Sequence, residues 1–177
     1  MCDHHPTDIS RRGFTGLAAL GLGLSLMPFR AAAQTIGLVA NAFCLMCIDY
    51  RYVRTGVDFF DGRAGFKNYD EVSLAGASLA AYSPSAFPDV TPALWEQLAA
   101  ARYLHTGISK VFVLDHMGCG AYKVQFGEMT PEQERIKHEE VARRVGPLFA
   151  EKGVPADIYL LTDPAKEPEW IWPLEKH

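Results

Sequence analysis

In the stretch FCLMCIDYR, Cys44 and Cys47 form a CxxC pair, and Asp49 and Arg51 follow Cys47 at alternate positions. Well downstream, His116 and Cys119 stand three apart in DHMGCGAY. Two chemistries are open to these residues. A CxxC pair marks a thioredoxin-like dithiol or half of a zinc site. Two cysteines and one histidine, in contrast, supply three donors that zinc accepts and leave its fourth position open for water, as in a catalytic site.

The elements that carry these residues favour the metal. Phe43 to Tyr52 is apolar and aromatic without an interrupting glycine, which predicts a buried strand with Asp49 and Arg51 at its carboxyl end. Side chains alternate along a strand, so Cys47, Asp49 and Arg51 share one face and Cys44 points to the other. Residues three apart on a strand are separated by roughly 10 Å, beyond the limit of about 7 Å for a disulfide. A redox CxxC sits instead at a helix start, and nothing before Cys44 signals one. KVFVLDH is a second apolar run of strand length, and His116 and Cys119 follow where the chain turns through Gly118 and Gly120. Open α/β sheets gather ligands outside the carboxyl ends of their strands, so both half-motifs are placed to converge.

The rest of the chain supplies the alternation such a sheet needs. DFFDGRAGFKNYDE reads as a loop, Val72 to Leu74 as a short strand before a turn at Gly76, and SPSAFPDVTP as another loop. A helix is expected from Pro92 to His105, capped by Asp89 or Thr91, with Leu94, Leu98 and Ala101 as its apolar stripe and Gly107 as its stop. After Cys119 the chain is read as a polar stretch. Thr130 and Pro131 then open a helix that Gly153 closes, with Ile136, Val141, Val145 and Leu148 facing the core and His138 on the solvated side. ADIYLLTD is a further buried strand, and Trp170 and Trp172 in the tail need a surface to pack against. The expected fold class is α/β, a three-layer α-β-α domain with a mainly parallel central sheet.

A net charge of −4 and a pI near 5.8 leave no basic face for a phosphate backbone, which argues against nucleic acid as a partner and for a small molecule. SRRGFT, at Ser10 to Thr15, precedes the apolar run Leu17 to Met27 and then AAAQT. Paired arginines before a short apolar segment predict a twin-arginine signal over 1–33, cleaved after Ala33, and a periplasmic or otherwise exported domain over 34–177 with no stable membrane span. The run is shorter than the roughly 20 residues a spanning helix needs. Three cysteines then remain in the mature chain, an odd number that leaves at least one for a metal or for reactive chemistry.

Cys47-x-Asp49-x-Arg51 followed by His116-x-x-Cys119-Gly120 resembles the motif pair of the beta-class carbonic anhydrases, and CIDYR with DHMGCGAY resembles a short, divergent branch of that family more closely still. The resemblance implies that Cys47, His116 and Cys119 bind Zn2+ and that Asp49 and Arg51 form a hydrogen-bonded pair beside it. It also implies reversible hydration of carbon dioxide to bicarbonate by zinc-bound hydroxide, and a homodimer. Two thiolates neutralise the ion and make it a weaker acidifier of water than an all-histidine site, so a carboxylate such as Asp49 must assist while Arg51 keeps it ionised. The chain departs from the family pattern at Tyr50, at Ser73-Leu74-Ala75-Gly76 and at Asp115. Three other functions are compatible with the residues: a non-catalytic zinc-binding or sensor protein, a hydrolase of carbon disulfide or carbonyl sulfide, and a thiol-disulfide protein using Cys44 and Cys47.

Overall fold

The computed structural model describes residues 38–63 and 68–173; the segment expected to be a signal, 1–33, and its cleavage point lie outside them. A five-stranded sheet runs through the middle in the order β2-β1-β3-β4-β5. Its strands are β1 (Ala42–Met46), β2 (Tyr69–Ser73), β3 (Lys110–His116), β4 (Ala156–Leu161) and β5 (Glu169–Trp172). The first four are parallel and β5 returns antiparallel on β4. The helices are α1 (Val53–Arg63), α2 (Val90–Leu104), α3 (Gly120–Phe126) and α4 (Pro131–Glu151), with a 3-10 turn over Ala77–Ala81.

Alternation along the strands sorts the core into two layers. Phe43 and Leu45 of β1, Val111 and Val113 of β3, and Ile158 and Leu160 of β4 face one way, onto Leu94, Leu98 and Ala101 of α2 and Val141, Val145 and Phe149 of α4. Ala42, Cys44, Met46, Phe112, Leu114, Tyr159 and Leu161 face the other way, onto Phe59 and Phe60 of α1. The fold is therefore a three-layer α/β sandwich around a mostly parallel sheet, as expected. Among the described residues no helix is long and apolar enough to cross a membrane.

Several local expectations are corrected. β1 ends at Met46, where its pairing with Ser73 and Leu114 ends, and the chain then turns through a Tyr52 N–H to Asp49 C=O bond instead of continuing as a strand to Tyr52. The segment after it is the helix α1, not a loop. Its glycines lower intrinsic helicity, but burial of Phe59 and Phe60 against the sheet outweighs that cost. β2 begins at Tyr69, ahead of Val72, and the stretch after Cys119 is helical as α3. Asp89 occupies the N-cap of α2 without a side-chain capping bond.

α4 opens on the expected Thr130, which forms a reciprocal capping box with Gln133, and Gly153 follows its end with φ of +82°. Its buried stripe is rotated from the expected one: His138, Val141, Ala142, Val145 and Phe149 face in, while Ile136 is 51% exposed. The tryptophans find their surfaces. Trp170 meets Tyr159 edge-on at 5.1 Å, and Trp172 lies against Gly146, where an added Cβ would drive into the indole ring. Gly146→Ala is accordingly expected to destabilise the fold by about 1–3 kcal/mol, because the indole must move to make room. A urea midpoint equal to that of the parent would contradict this packing.

Candidate metal centre

The site forms where β1 and β3 end. Cys47, one residue beyond β1, keeps the side-chain period of Phe43 and Leu45 and turns into the layer they face; Cys44 lies on the opposite face among α1 side chains. The two cysteines diverge, and Cys44, Cys47 and Cys119 are all free thiols. His116 is the last residue of β3, and Cys119 is the N-cap of α3. The three donor atoms of Cys47, His116 and Cys119 lie within 4.8 Å of one another, and all three residues are buried.

The arrangement fits a metal ion. Cys47 Sγ and Cys119 Sγ are 3.9 Å apart, close to the edge of about 3.8 Å that a tetrahedron with metal–sulfur bonds of about 2.3 Å requires. His116 Nδ1 donates to the Met117 carbonyl at 3.0 Å, which turns Nε2 toward the thiols; Nε2 is buried with no hydrogen-bond partner among the described residues. A buried nitrogen left without a partner costs stability unless something else binds it, and a metal ion satisfies it. Tyr52 stacks on the imidazole at 4.3 Å and fixes the plane of the ring.

Charge is unevenly shared within the group. A hydrogen bond from Cys119, against the opposing effect of burial and with further help from His116 and the Gly76 N–H, lowers the Cys47 thiol to about 4. The same bond, with burial, pushes the Cys119 thiol up. Burial pulls the His116 imidazole down, but the neighbouring Cys47 thiolate, the bond to the Met117 carbonyl and the charge of Asp49 outweigh it and raise it.

Asp49 and Arg51 meet in the turn that follows β1. Arg51 Nε lies 2.9 Å from Asp49 Oδ1 and Nη2 lies 2.6 Å from Oδ2, a two-point pair, and the Arg51 backbone N–H also donates to Oδ1 at 3.1 Å. Arg51 Nη2 donates in addition to the Gly118 carbonyl at 3.0 Å, tying the first half-motif to the second. Asp49 Oδ2 is 3.8 Å from His116 Nε2, so the carboxylate stands beside the donor set. The hydrogen bond from Arg51 holds the Asp49 carboxyl down at about 2. A cleft of about 640 Å³ opens over the group, with Ile48, Ala75, Phe87 and Val124 contributing apolar walls. Tyr50 is 87% exposed at its mouth.

Every residue expected at the site is brought to it, and three further residues contribute. Gly76, with φ of +78°, directs its N–H to Cys47 Sγ at 3.4 Å from the small-residue turn after β2. Glu134 accepts the Gly118 and Cys119 N–H groups, each at 3.0 Å. His138, read as solvated, is instead fully buried and bonded to Asp115 at 3.1 Å. The capping position of Thr130 puts Glu134 and His138 one turn apart on α4, the one signal in the sequence that pairs them.

Cys44 supplies a pH-dependent prediction. Burial first, then the carboxylates of Glu71, Asp61 and Asp70, raise its thiol well above the ordinary value. A thiol raised by folding contributes stability below its unfolded value of about 8.5, and that contribution is lost as pH rises beyond it. Native Cys44 is expected to resist alkylation at pH 9, and Cys44→Ala to flatten the alkaline fall in melting temperature. Rapid native labelling of Cys44 would show that this layer is open.

Fold and site together define an α/β protein with a buried Cys-His-Cys group able to bind a metal ion. No family model matches the chain. It is 28% identical over 124 residues, 68% of its length, to an uncharacterized protein of Rickettsia conorii, and the match covers 65% of that relative, slightly less than two thirds. An uncharacterized protein of Rickettsia bellii is also 28% identical over 124 residues, which span 68% of this chain and 74% of that relative.

Proposed function

We propose that the chain is a zinc lyase of the beta-class carbonic anhydrase type, which hydrates carbon dioxide reversibly to bicarbonate. The observation that carries this reading is the juxtaposition of a three-donor group with an ionised carboxylate, Asp49, at the floor of a partly apolar cleft. Cys47, His116 and Cys119 would hold the ion. When bound, zinc supplies Lewis acidity and lowers the pKa of water.

The protein's own residues account for the rest. Ile48, Ala75, Phe87 and Val124 offer a neutral, linear molecule an apolar seat. Asp49 accepts the O–H of the attacking group and aims its lone pair at the substrate carbon. Arg51 fixes Asp49 at two points, and its further bond to the Gly118 carbonyl anchors the pair to the turn before α3. Addition of water to carbon dioxide yields bicarbonate and one proton. The same reading carries export through the twin-arginine route and a homodimer.

Stopped-flow hydration of carbon dioxide by the zinc-loaded protein from pH 7 to 9 tests the proposal. A rate above buffer that is abolished by chelation is expected. No rate with zinc fully bound would refute it and leave a non-catalytic zinc protein, and turnover of carbon disulfide or carbonyl sulfide alone would reassign the substrate.

A further inference from the structure

The metal donors come from three pieces, the residue after β1, the end of β3 and the turn before α3, and one buried cluster joins the last two from behind. Asp115 immediately precedes His116. Its Oδ1 accepts the Ser78 N–H at 2.9 Å, and its Oδ2 accepts the hydroxyls of Ser78 at 2.5 Å and Tyr122 at 3.2 Å. His138 Nδ1 lies 3.1 Å from the same Oδ2, and its ring stacks on Tyr122 with centroids 3.7 Å apart. On the other side, His138 Nε2 is 3.9 Å from Glu134 Oε1. Glu134 in turn divides its two oxygens between consecutive backbone amides: Oε2 takes Gly118 N–H and Oε1 takes Cys119 N–H.

A carboxylate that accepts from two successive amides fixes both the position and the tilt of the peptide between them. Here that peptide leads directly into Cys119, and the Gly118 carbonyl on it also receives Arg51 Nη2. A glycine at 118, with φ of +69°, offers little stiffness of its own, so the geometry of the turn depends on what holds it.

We propose that Glu134 is a positioning residue for the metal centre: it clamps the 118–119 turn so that Cys119 Sγ faces His116 Nε2. His138, bonded to Asp115 through Nδ1 and with Nε2 3.9 Å from Glu134 Oε1 without a hydrogen bond, packs between that carboxylate and the end of β3. This inference rests on Cys47, His116 and Cys119 being metal donors and is independent of any turnover of carbon dioxide.

The test is zinc affinity by chelator competition, with the thiolate-to-cobalt absorption of the cobalt-substituted protein as a second readout. Glu134→Gln keeps the shape of the side chain but replaces one acceptor by a donor that opposes an amide N–H. Zinc affinity is expected to fall about 10-fold to 100-fold, with a shifted cobalt spectrum, whereas Glu132→Gln, an exposed change on the first turn of the same helix, leaves both unchanged. An affinity for Glu134→Gln within threefold of the parent would overturn the proposal, even if the metal-free variant melts lower, since that is what a merely structural role produces. Should Glu134→Gln not fold, His138→Gln, which touches neither loop amide, is expected to weaken zinc in the same direction, and an unchanged affinity would likewise overturn it. A parent protein that binds no zinc removes the metal reading itself, and this inference with it.

Discussion

Replacing Asp49 by asparagine is expected to lower the hydration rate about a hundredfold or more while zinc stays bound. The substitution is nearly isosteric and leaves Cys47, His116 and Cys119 untouched, so the change isolates the carboxylate. A positioned acid–base group is worth roughly 10²–10⁴ in rate, which sets the scale. The loss is expected to be uniform from pH 7 to 9, because Asp49 is held at about 2 by its hydrogen bond to Arg51 and stays ionised throughout that range. Arg51→Ala separates charge from orientation. Without the guanidinium, the carboxyl returns toward its ordinary value of about 3.9, so it is still ionised at pH 7. A fall in rate for Arg51→Ala therefore reports a misplaced Asp49, freed of the two-point pair that the Arg51–Gly118 bond anchors. An Asp49→Asn protein that turns over like the parent would reduce the pair to a structural salt bridge.

The second large effect is on metal content. Apparent binding free energies of about 10–16 kcal/mol for thiolate-rich zinc sites, shared among a few donors, make each thiolate worth roughly 3–4 kcal/mol, or several hundredfold in affinity. Cys47→Ser and Cys119→Ser are each expected to leave the purified protein with little zinc. Cys44→Ala is expected to retain about one zinc per chain, because that side chain lies in the layer covered by Phe59 and Phe60. Loss of zinc in Cys44→Ala with retention in Cys47→Ser would overturn the ligand assignment. Element analysis of the three variants distinguishes the outcomes.

What was legible in the sequence was what depends on short-range periodicity. KVFVLDH and ADIYLLTD read as buried strands because continuous apolar runs of that length have few other uses, and the strand ends located the donor set. The parity of β1 also separated Cys44 from Cys47, although the strand stops at Met46 and Asp49 reaches Arg51 through a turn. What was hidden depends on tertiary burial. α1 carries two glycines and becomes helical because Phe59 and Phe60 have a sheet to cover. His138 sits between a glutamate and a lysine in a charged stretch, so its burial depends on Asp115 and Tyr122, which arrive from another part of the chain. Asp115 itself stood out in the sequence only as the residue before His116. In the fold it is the residue through which Ser78, Tyr122 and His138 brace the end of β3.

In the proposed centre Cys47, His116 and Cys119 converge on one metal ion. X-ray absorption at the zinc edge of the loaded protein tests that claim most directly. The expected result is one zinc per chain with two sulfur neighbours at about 2.3 Å and two nitrogen or oxygen neighbours at about 2.0–2.1 Å, one of them His116. A shell of nitrogen and oxygen alone, or one with three or more sulfurs, would contradict it.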